Sequence, residues 1–223
     1  DFTTNSSSTT YTFSSTTGEM FINGVGQGAA GGNRIFLTIW DGGGTDTYDF
    51  SNYTTNQTID LTPGYWSLMS EAQRANLGGG NYARANVYNA LQYGTDTRSL
   101  IENAIGGSGN DLIVGNASDN VLAGGHGTDI LSAGAGNRND LIGGTGADHL
   151  IGGSGFDYAW YNSSGSAVSV NLSSGIGVGG EAEGDLLTGI EGLVGSAFAD
   201  TLIGDSNANS LWGVDGDDKL YGL

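Results

Sequence analysis

The sequence has no cysteine, a single proline (Pro63), two histidines and only six lysines and arginines in 223 residues. Without cysteine there is no disulfide framework and no thiolate chemistry. Six cationic side chains against 24 acidic ones, a net charge of −18, exclude a nucleic-acid partner, because nothing is there to displace phosphate counterions. No apolar run resembles a membrane span or a signal peptide. His126 and His149 belong to no HExxH motif, and no GxSxG elbow is present, so the common hydrolytic constellations cannot be assembled. So many carboxylates repel one another in a compact fold until divalent cations neutralise them.

What the chain has in excess is glycine, 42 residues, far above the usual ~7%. Collagen would need glycine at every third place and abundant proline, and disorder would not keep a period. Here the period is nine. GGSGNDLIV (Gly106 to Val114), GGHGTDILS (Gly124 to Ser132), GGTGADHLI (Gly143 to Ile151) and GGSGFDYAW (Gly152 to Trp160) share glycine loops, an aspartate at the sixth place and an aliphatic residue at the eighth. Such nonapeptides mark a calcium-binding parallel β-roll. Glycine supplies the left-handed turn. Carboxylates and main-chain carbonyls supply oxygen ligands for a hard cation. The sixth places hold Asp111, Asp129, Asp148 and Asp157, and the eighth places Ile113, Leu122, Leu131, Leu150 and Ala159, expected to point inward. Two nonapeptides make one coil, so loops about eighteen residues apart stack on one side. The other side is degenerate. GNASDNVLA places Asn120 at the sixth position, and AGAGNRNDLI places Asn139 there, with Asp140 as the competing ligand and Leu141 inward. Weaker calcium binding is expected on that side.

A second block, GSAFADTLI, GDSNANSLW and GVDGDDKLY (Gly195 to Tyr221), keeps the register with Leu202, Leu211 and Leu220 inward. Asp200 and Asp218 are its best ligand candidates. LIENAIGG and GIEGLVGS open the two blocks, and counting back nine residues puts Glu102 and Glu191 at the ligand place; the competing reading of each is a solvated surface glutamate. Upstream, IWDGGGTDTYDF repeats the aspartate–glycine logic outside this register. It predicts a strand ending at Trp40, a calcium-binding turn (or an ordinary hairpin) and a strand through Tyr48 and Phe50. SEAQRANL, with Ser70 as N-cap, and ARANVYNAL lean towards short helices. AVSVNL alternates like a half-buried strand, so residues 161–185 read as a hairpin excursion; Glu181, Glu183 and Asp185 read as a solvated acidic loop, with a ligand cluster as the competing reading.

WDGGGTD and IENAIGGSGND together resemble the C-terminal part of serralysin-type secreted bacterial metalloproteases, over roughly residues 1–132. The later repeats resemble hemolysin-type (RTX) repeats. The resemblance implies calcium ligands at Asp41, Gly43 and Asp46, at Glu102, Gly107, Gly109 and Asp111, and at Gly125, Gly127 and Asp129, the glycines acting through carbonyl oxygen. The matching places of the next repeats are Gly144, Gly146, Gly153 and Gly155. It also implies type I secretion from a Gram-negative bacterium and folding in extracellular calcium. The family's zinc motif, HExxHxxGxxH, belongs to a preceding catalytic domain and is absent here, so no zinc and no catalysis are expected of this chain. DFTTNSSSTTYTF resembles the point just after that domain, and the family's C-terminal secretion tail is missing. The expectation is the calcium-binding half of a longer protein, with an attached or upstream catalytic domain as partner. The expected fold is all-β: an irregular β region (1–100) with one or two short helices, a first roll block (101–160), the excursion (161–185) and a second block (186–223). The alternative functions are a calcium-dependent adhesion or exopolysaccharide-binding matrix protein, one that self-associates or displays Trp40, Trp66, Trp160 and Trp212, or an accessory module of a polysaccharide-modifying enzyme.

Overall fold

A computed structural model describes residues 5–222; residues 1–4 and 223, at the outer limits of the first and last expected segments, lie outside it. Short strands, mostly of three residues, alternate between two large and mainly parallel sheets of ten and nine strands. Each coil contributes one strand to each sheet. In the ten-stranded sheet Asn103–Ile105 pairs with Val121–Ala123, which pairs with Asp140–Ile142. In the nine-stranded sheet Leu112–Val114, Ile130–Ser132 and His149–Ile151 stack in turn. Strands this short cannot bury an apolar face alone, so stability comes from stacking neighbours.

The eighth-place residues form the core. Ile113, Leu122, Leu131, Leu141, Leu150, Ala159, Leu193 and Leu202 are all fully buried, as is Ala104. The stack loosens at its far end. Leu211 is half-buried and Leu220 is 47% exposed, because their strands are the outermost of the two sheets and are covered on one side only.

The N-terminal region joins the roll. Thr47–Asp49 pairs in parallel with Asn103–Ile105, bringing Tyr48 level with Ala104, and Thr58–Asp60 pairs with Leu112–Val114. Asp46 therefore stands in the same register as the repeats, two residues before a buried Tyr48, and not outside it as its spacing suggested. A separate three-stranded sheet joins Leu37–Ile39, Val87–Asn89 and Trp66–Ser67.

Among the described residues there is no α-helix, only three 3-10 turns. SEAQRANL holds one of them, Glu71–Gln73, and Ser70 makes no side-chain cap there. ARANVYNAL carries a strand instead: Val87 and Asn89 are buried with Tyr88 between them half-exposed, and pairing on both sides overrides the helical propensity of its alanines. The excursion does contain a hairpin. Ser169–Asn171 and Ile176–Val178 pair antiparallel and insert into the nine-stranded sheet between Leu186–Thr188 and Thr201–Ile203.

Candidate calcium-binding seams

Nearly every coil places one polar residue immediately before its strand, and these residues stack into columns. Along the nine-stranded sheet each main-chain N–H donates to the carboxylate of the next coil. Gln57 N–H reaches Asp111 Oδ1 at 2.7 Å, Asp111 N–H reaches Asp129 Oδ1 at 2.7 Å, and Asp129 N–H reaches Asp148 Oδ1 at 2.8 Å. Asp148 N–H then reaches Asp185 Oδ1 at 2.8 Å. From Val168, inside the excursion, the pattern continues through Asp200 to Asp218, at 2.8 and 2.9 Å. Along the ten-stranded sheet Thr9 N–H donates to Asp46 Oδ1, Asp46 N–H to Glu102 Oε2, Asn120 N–H to Asn139 Oδ1, Asn139 N–H to Asp157 Oδ1 and Asp157 N–H to Glu191 Oε2, all within 3.0 Å.

The glycine loops lie directly on one another. Gly125 and Gly127 have φ of +105° and +125°, and a Cβ on either would collide with the carbonyl oxygen of Gly107 or Gly109 in the coil below. Gly144 and Gly146 sit in the same way over Gly125 and Gly127, and on the other side Gly153 and Gly155 sit over Gly134 and Gly136. Only glycine allows this approach, which brings main-chain carbonyls of successive loops beside the aspartates.

The aspartates are buried without cationic partners. Asp111, Asp129, Asp148 and Asp185 are at most 2% exposed, and none forms an ion pair with lysine or arginine among the described residues. The second oxygens of Asp46, Asp129 and Asp148 are buried and accept no hydrogen bond. Leaving such an oxygen unpaired is costly. Burial, followed by the charges of neighbouring carboxylates, pushes Asp129 and Asp185 up to about 7. Burial and the Asp41 carboxylate do the same to Asp46, and burial raises Asp111, Asp148, Glu102 and Glu191. Orphaned hard-oxygen donors beside stacked carbonyls suit a calcium ion. Among the described residues no three His, Cys, Asp or Glu side chains converge, so carbonyl oxygens have to complete any coordination shell.

The other candidates are placed as follows. Asp41 is buried, accepting from Gly43 N–H at 2.8 Å and from the Tyr11 hydroxyl at 2.6 Å. Asp157 accepts from Gly153 N–H at 2.6 Å. On its side of the roll side-chain amides of the column donate to acceptors on neighbouring coils. Asn120 Nδ2 donates to the Glu102 carbonyl at 2.7 Å, and Asn139 Nδ2 donates to Asp157 Oδ1 at 2.8 Å. Asn139 occupies the column, while Asp140 pairs with Arg138 at 3.2 Å on the rim. Asp200 accepts from Ser196 N–H and Oγ as well as from Val168. Asp185, read from sequence as more a solvated loop residue than a ligand, is instead fully buried in the column. The excursion breaks the nine-residue count, although the pattern Asp185-Leu186-Leu187, with Leu187 buried two places on, carried the repeat's own signal.

Stacked glycine loops, buried acceptor columns and short parallel strands define a calcium-binding β-roll of nonapeptide repeats. Residues 1–174 match the Peptidase M10 serralysin C-terminal family, and residues 194–223 match the RTX calcium-binding nonapeptide repeat. The chain belongs to the serralysin C-terminal family. Its relatives include Metallopeptidase AprA of Pseudomonas marginalis, 37% identical over 52% of this chain and 20% of the relative. Serralysin C of Dickeya chrysanthemi is 41% identical over 51% and 19%, and Metalloprotease AprA of Pseudomonas entomophila 38% over 52% and 19%. The matches span about a fifth of the length of these curated relatives.

Proposed function

We propose that this chain is the non-catalytic calcium-binding module of a secreted serralysin-like protease, exported by type I secretion, that folds when it meets calcium and stabilises the catalytic domain attached to it. The observation that carries this reading is the seam of Asp111, Asp129 and Asp148, in which buried oxygens of Asp129 and Asp148 lack any partner beside stacked glycine loops. Calcium binds the folded seam and not the unfolded chain, so binding becomes folding free energy. Without the ion, raised carboxylates facing one another oppose compaction.

The Asp41, Asp46 and Glu102 positions and the Glu191, Asp200 and Asp218 positions are further calcium ligands on this reading, while Asn120 and Asn139 weaken the opposite side. Circular dichroism with titrated calcium, then chelator, tests it, with magnesium as a control. Calcium is expected to drive a reversible gain of β structure that magnesium does not reproduce. A spectrum indifferent to both additions refutes the proposal.

A further inference from the structure

We propose that the three-stranded side sheet pairs with the same sheet of a second copy of this chain, edge to edge and antiparallel, through Leu37–Ile39, with Thr38 on the two-fold axis. The pairing uses main-chain groups and aromatic rings and no carboxylate, so it stands or falls separately from the calcium reading above.

Leu37–Ile39 is an outer strand of that sheet, and among the described residues no strand lies on its far side. Its hydrogen bonds show which groups face outward. Ile35 N–H donates to the Gln73 carbonyl at 2.8 Å, Leu37 N–H donates to the Asn86 carbonyl at 3.2 Å, and the Ile39 carbonyl accepts from Ala90 N–H at 3.0 Å. In a parallel ladder the alternate residues turn their amide groups the other way. The N–H and C=O of Phe36 and Thr38 therefore face the open edge. Thr38 is exposed and Phe36 is 57% exposed. Edge strands are ordinarily blunted by charge, proline or brevity. Two other outermost strands follow that rule: Lys219–Tyr221 carries a lysine, and Val25–Gly26 has two residues. From Ile35 to Trp40 there is no charge, proline or glycine, so this edge is unguarded.

The strand's own order of residues fits a second copy. Phe36-Leu37-Thr38-Ile39-Trp40 reads aromatic, aliphatic, threonine, aliphatic, aromatic in both directions. About an axis at Thr38, antiparallel pairing sets threonine beside threonine and Phe36 beside the partner's Trp40, twice over, as an isologous contact requires. Threonine pairs and aromatic pairs are favourable when directly opposite. Ile35 and Ile39 are buried beneath the sheet, so Phe36, Thr38 and Trp40 share its outer face. On that face the Phe36 ring stands edge-on to Tyr88 at 5.8 Å, and Thr38, Tyr88 and Trp66 lie in one row. Pairing extends the row across a six-stranded sheet. The exposed Leu91 lines the groove beside Phe36 and Trp40 and adds apolar area. Charge favours this face over any other. Arg34, Arg74, Arg84 and Arg98, four of the six cationic side chains, lie in the first hundred residues, while most of the acidic ones belong to the roll. Two copies thus meet through their least acidic parts. Strands this short make a small interface, of the class below about 1,200 Å² that gives weak and reversible association.

The test is sedimentation of the full chain in calcium over a concentration series, with amide exchange followed at Phe36 and Thr38. Expected is a reversible monomer–dimer equilibrium in which those amides exchange more slowly as the concentration rises. Thr38→Lys puts two like charges directly opposite each other. It is expected to abolish the dimer even though it lowers the overall repulsion of a chain of charge −18. Gln27→Lys, exposed elsewhere, adds the same charge and is expected to dimerise like the parent. Because the chain has no cysteine, Thr38→Cys reads the geometry independently. Cα atoms of a hydrogen-bonded antiparallel pair stand about 5.5 Å apart, within disulfide reach. On mild oxidation Thr38→Cys is expected to form a covalent dimer much faster than Gln27→Cys. A parent that stays monomeric at every concentration overturns the proposal. So does a dimer that survives Thr38→Lys, or a Thr38→Cys that links no faster than its control. Slow exchange at Phe36 and Thr38 that is independent of concentration overturns it too, since the edge is then closed within one copy.

Discussion

Replacing Asp129 by asparagine separates the two roles of an aspartate in the seam. Asparagine keeps the shape and the acceptor that receives Asp111 N–H at 2.7 Å, but it removes the charge. Asp129 lies between Asp111 and Asp148 and so borders two loop pairs. With calcium about 100-fold above its dissociation constant, each occupied site adds about 2.7 kcal/mol. Asp129→Asn is therefore expected to lose about 5 kcal/mol in calcium, or about 10–20 °C in Tm for a chain of this size. In chelator the change runs differently. An oxygen that is already buried and unpaired becomes an unpaired amide nitrogen. The burial that holds Asp129 at about 7 no longer penalises a charge at pH 8. The two effects offset one another, and Tm is expected to stay within the few degrees that correspond to about 1 kcal/mol. Differential scanning calorimetry at pH 8, with and without calcium, reads both numbers. Equal losses in the two conditions would show that Asp129 acts through packing alone and would refute the calcium argument.

Asn139→Asp is the converse experiment. It is expected to raise the calcium stoichiometry by one and, in excess calcium, stability by about 2–3 kcal/mol. In chelator it should destabilise, because the amide now donating to Asp157 Oδ1 at 2.8 Å gives way to a second carboxylate; unchanged titration isotherms would count against it. The metal-free fold should also depend on pH in a definite direction. Asp46, Asp129 and Asp185 are raised from 3.8 to about 7 in the fold, so the folded state binds more protons between those values. Their stabilising contribution is full below about pH 4 and is lost as the pH rises through 7. With chelator, Tm should fall from pH 5 to pH 8, while in calcium, where protons compete with the ion, it should rise. A chelated chain that gains stability across that range contradicts the assignment.

The repeat made the centre of this fold legible from sequence. A residue two places after each loop aspartate points inward, and Ile113, Leu131 and Leu150 are fully buried as that rule requires. The same rule covered Tyr48 after Asp46 and Leu187 after Asp185, but there the count of nine was interrupted, by a three-stranded side sheet in one case and the inserted hairpin in the other. Parallel pairing restores register across such insertions, and counting along the chain cannot. Ala83–Leu91 misled for another reason, since its composition favours a helix while two neighbouring strands supply the hydrogen bonds. At the far end Leu220 obeyed the pattern in sequence yet stays half in solvent, because an inward position is buried only when another coil closes over it.

The column from Gln57 through Asp111, Asp129 and Asp148 to Asp185 is a chain of donors and acceptors in which each member's N–H holds its neighbour's carboxylate. Fixing one carboxylate on an ion thereby positions the adjacent N–H and the loop it belongs to. Such a stack behaves as a one-dimensional array with nearest-neighbour coupling. On the calcium reading proposed above, ions load as a propagating front, with each filled rung lowering the ordering cost of the next, so that saturation is expected to be steeper than independent sites would give. Because the column passes from Asp148 to Asp185 without a break, the front also reaches the inserted hairpin.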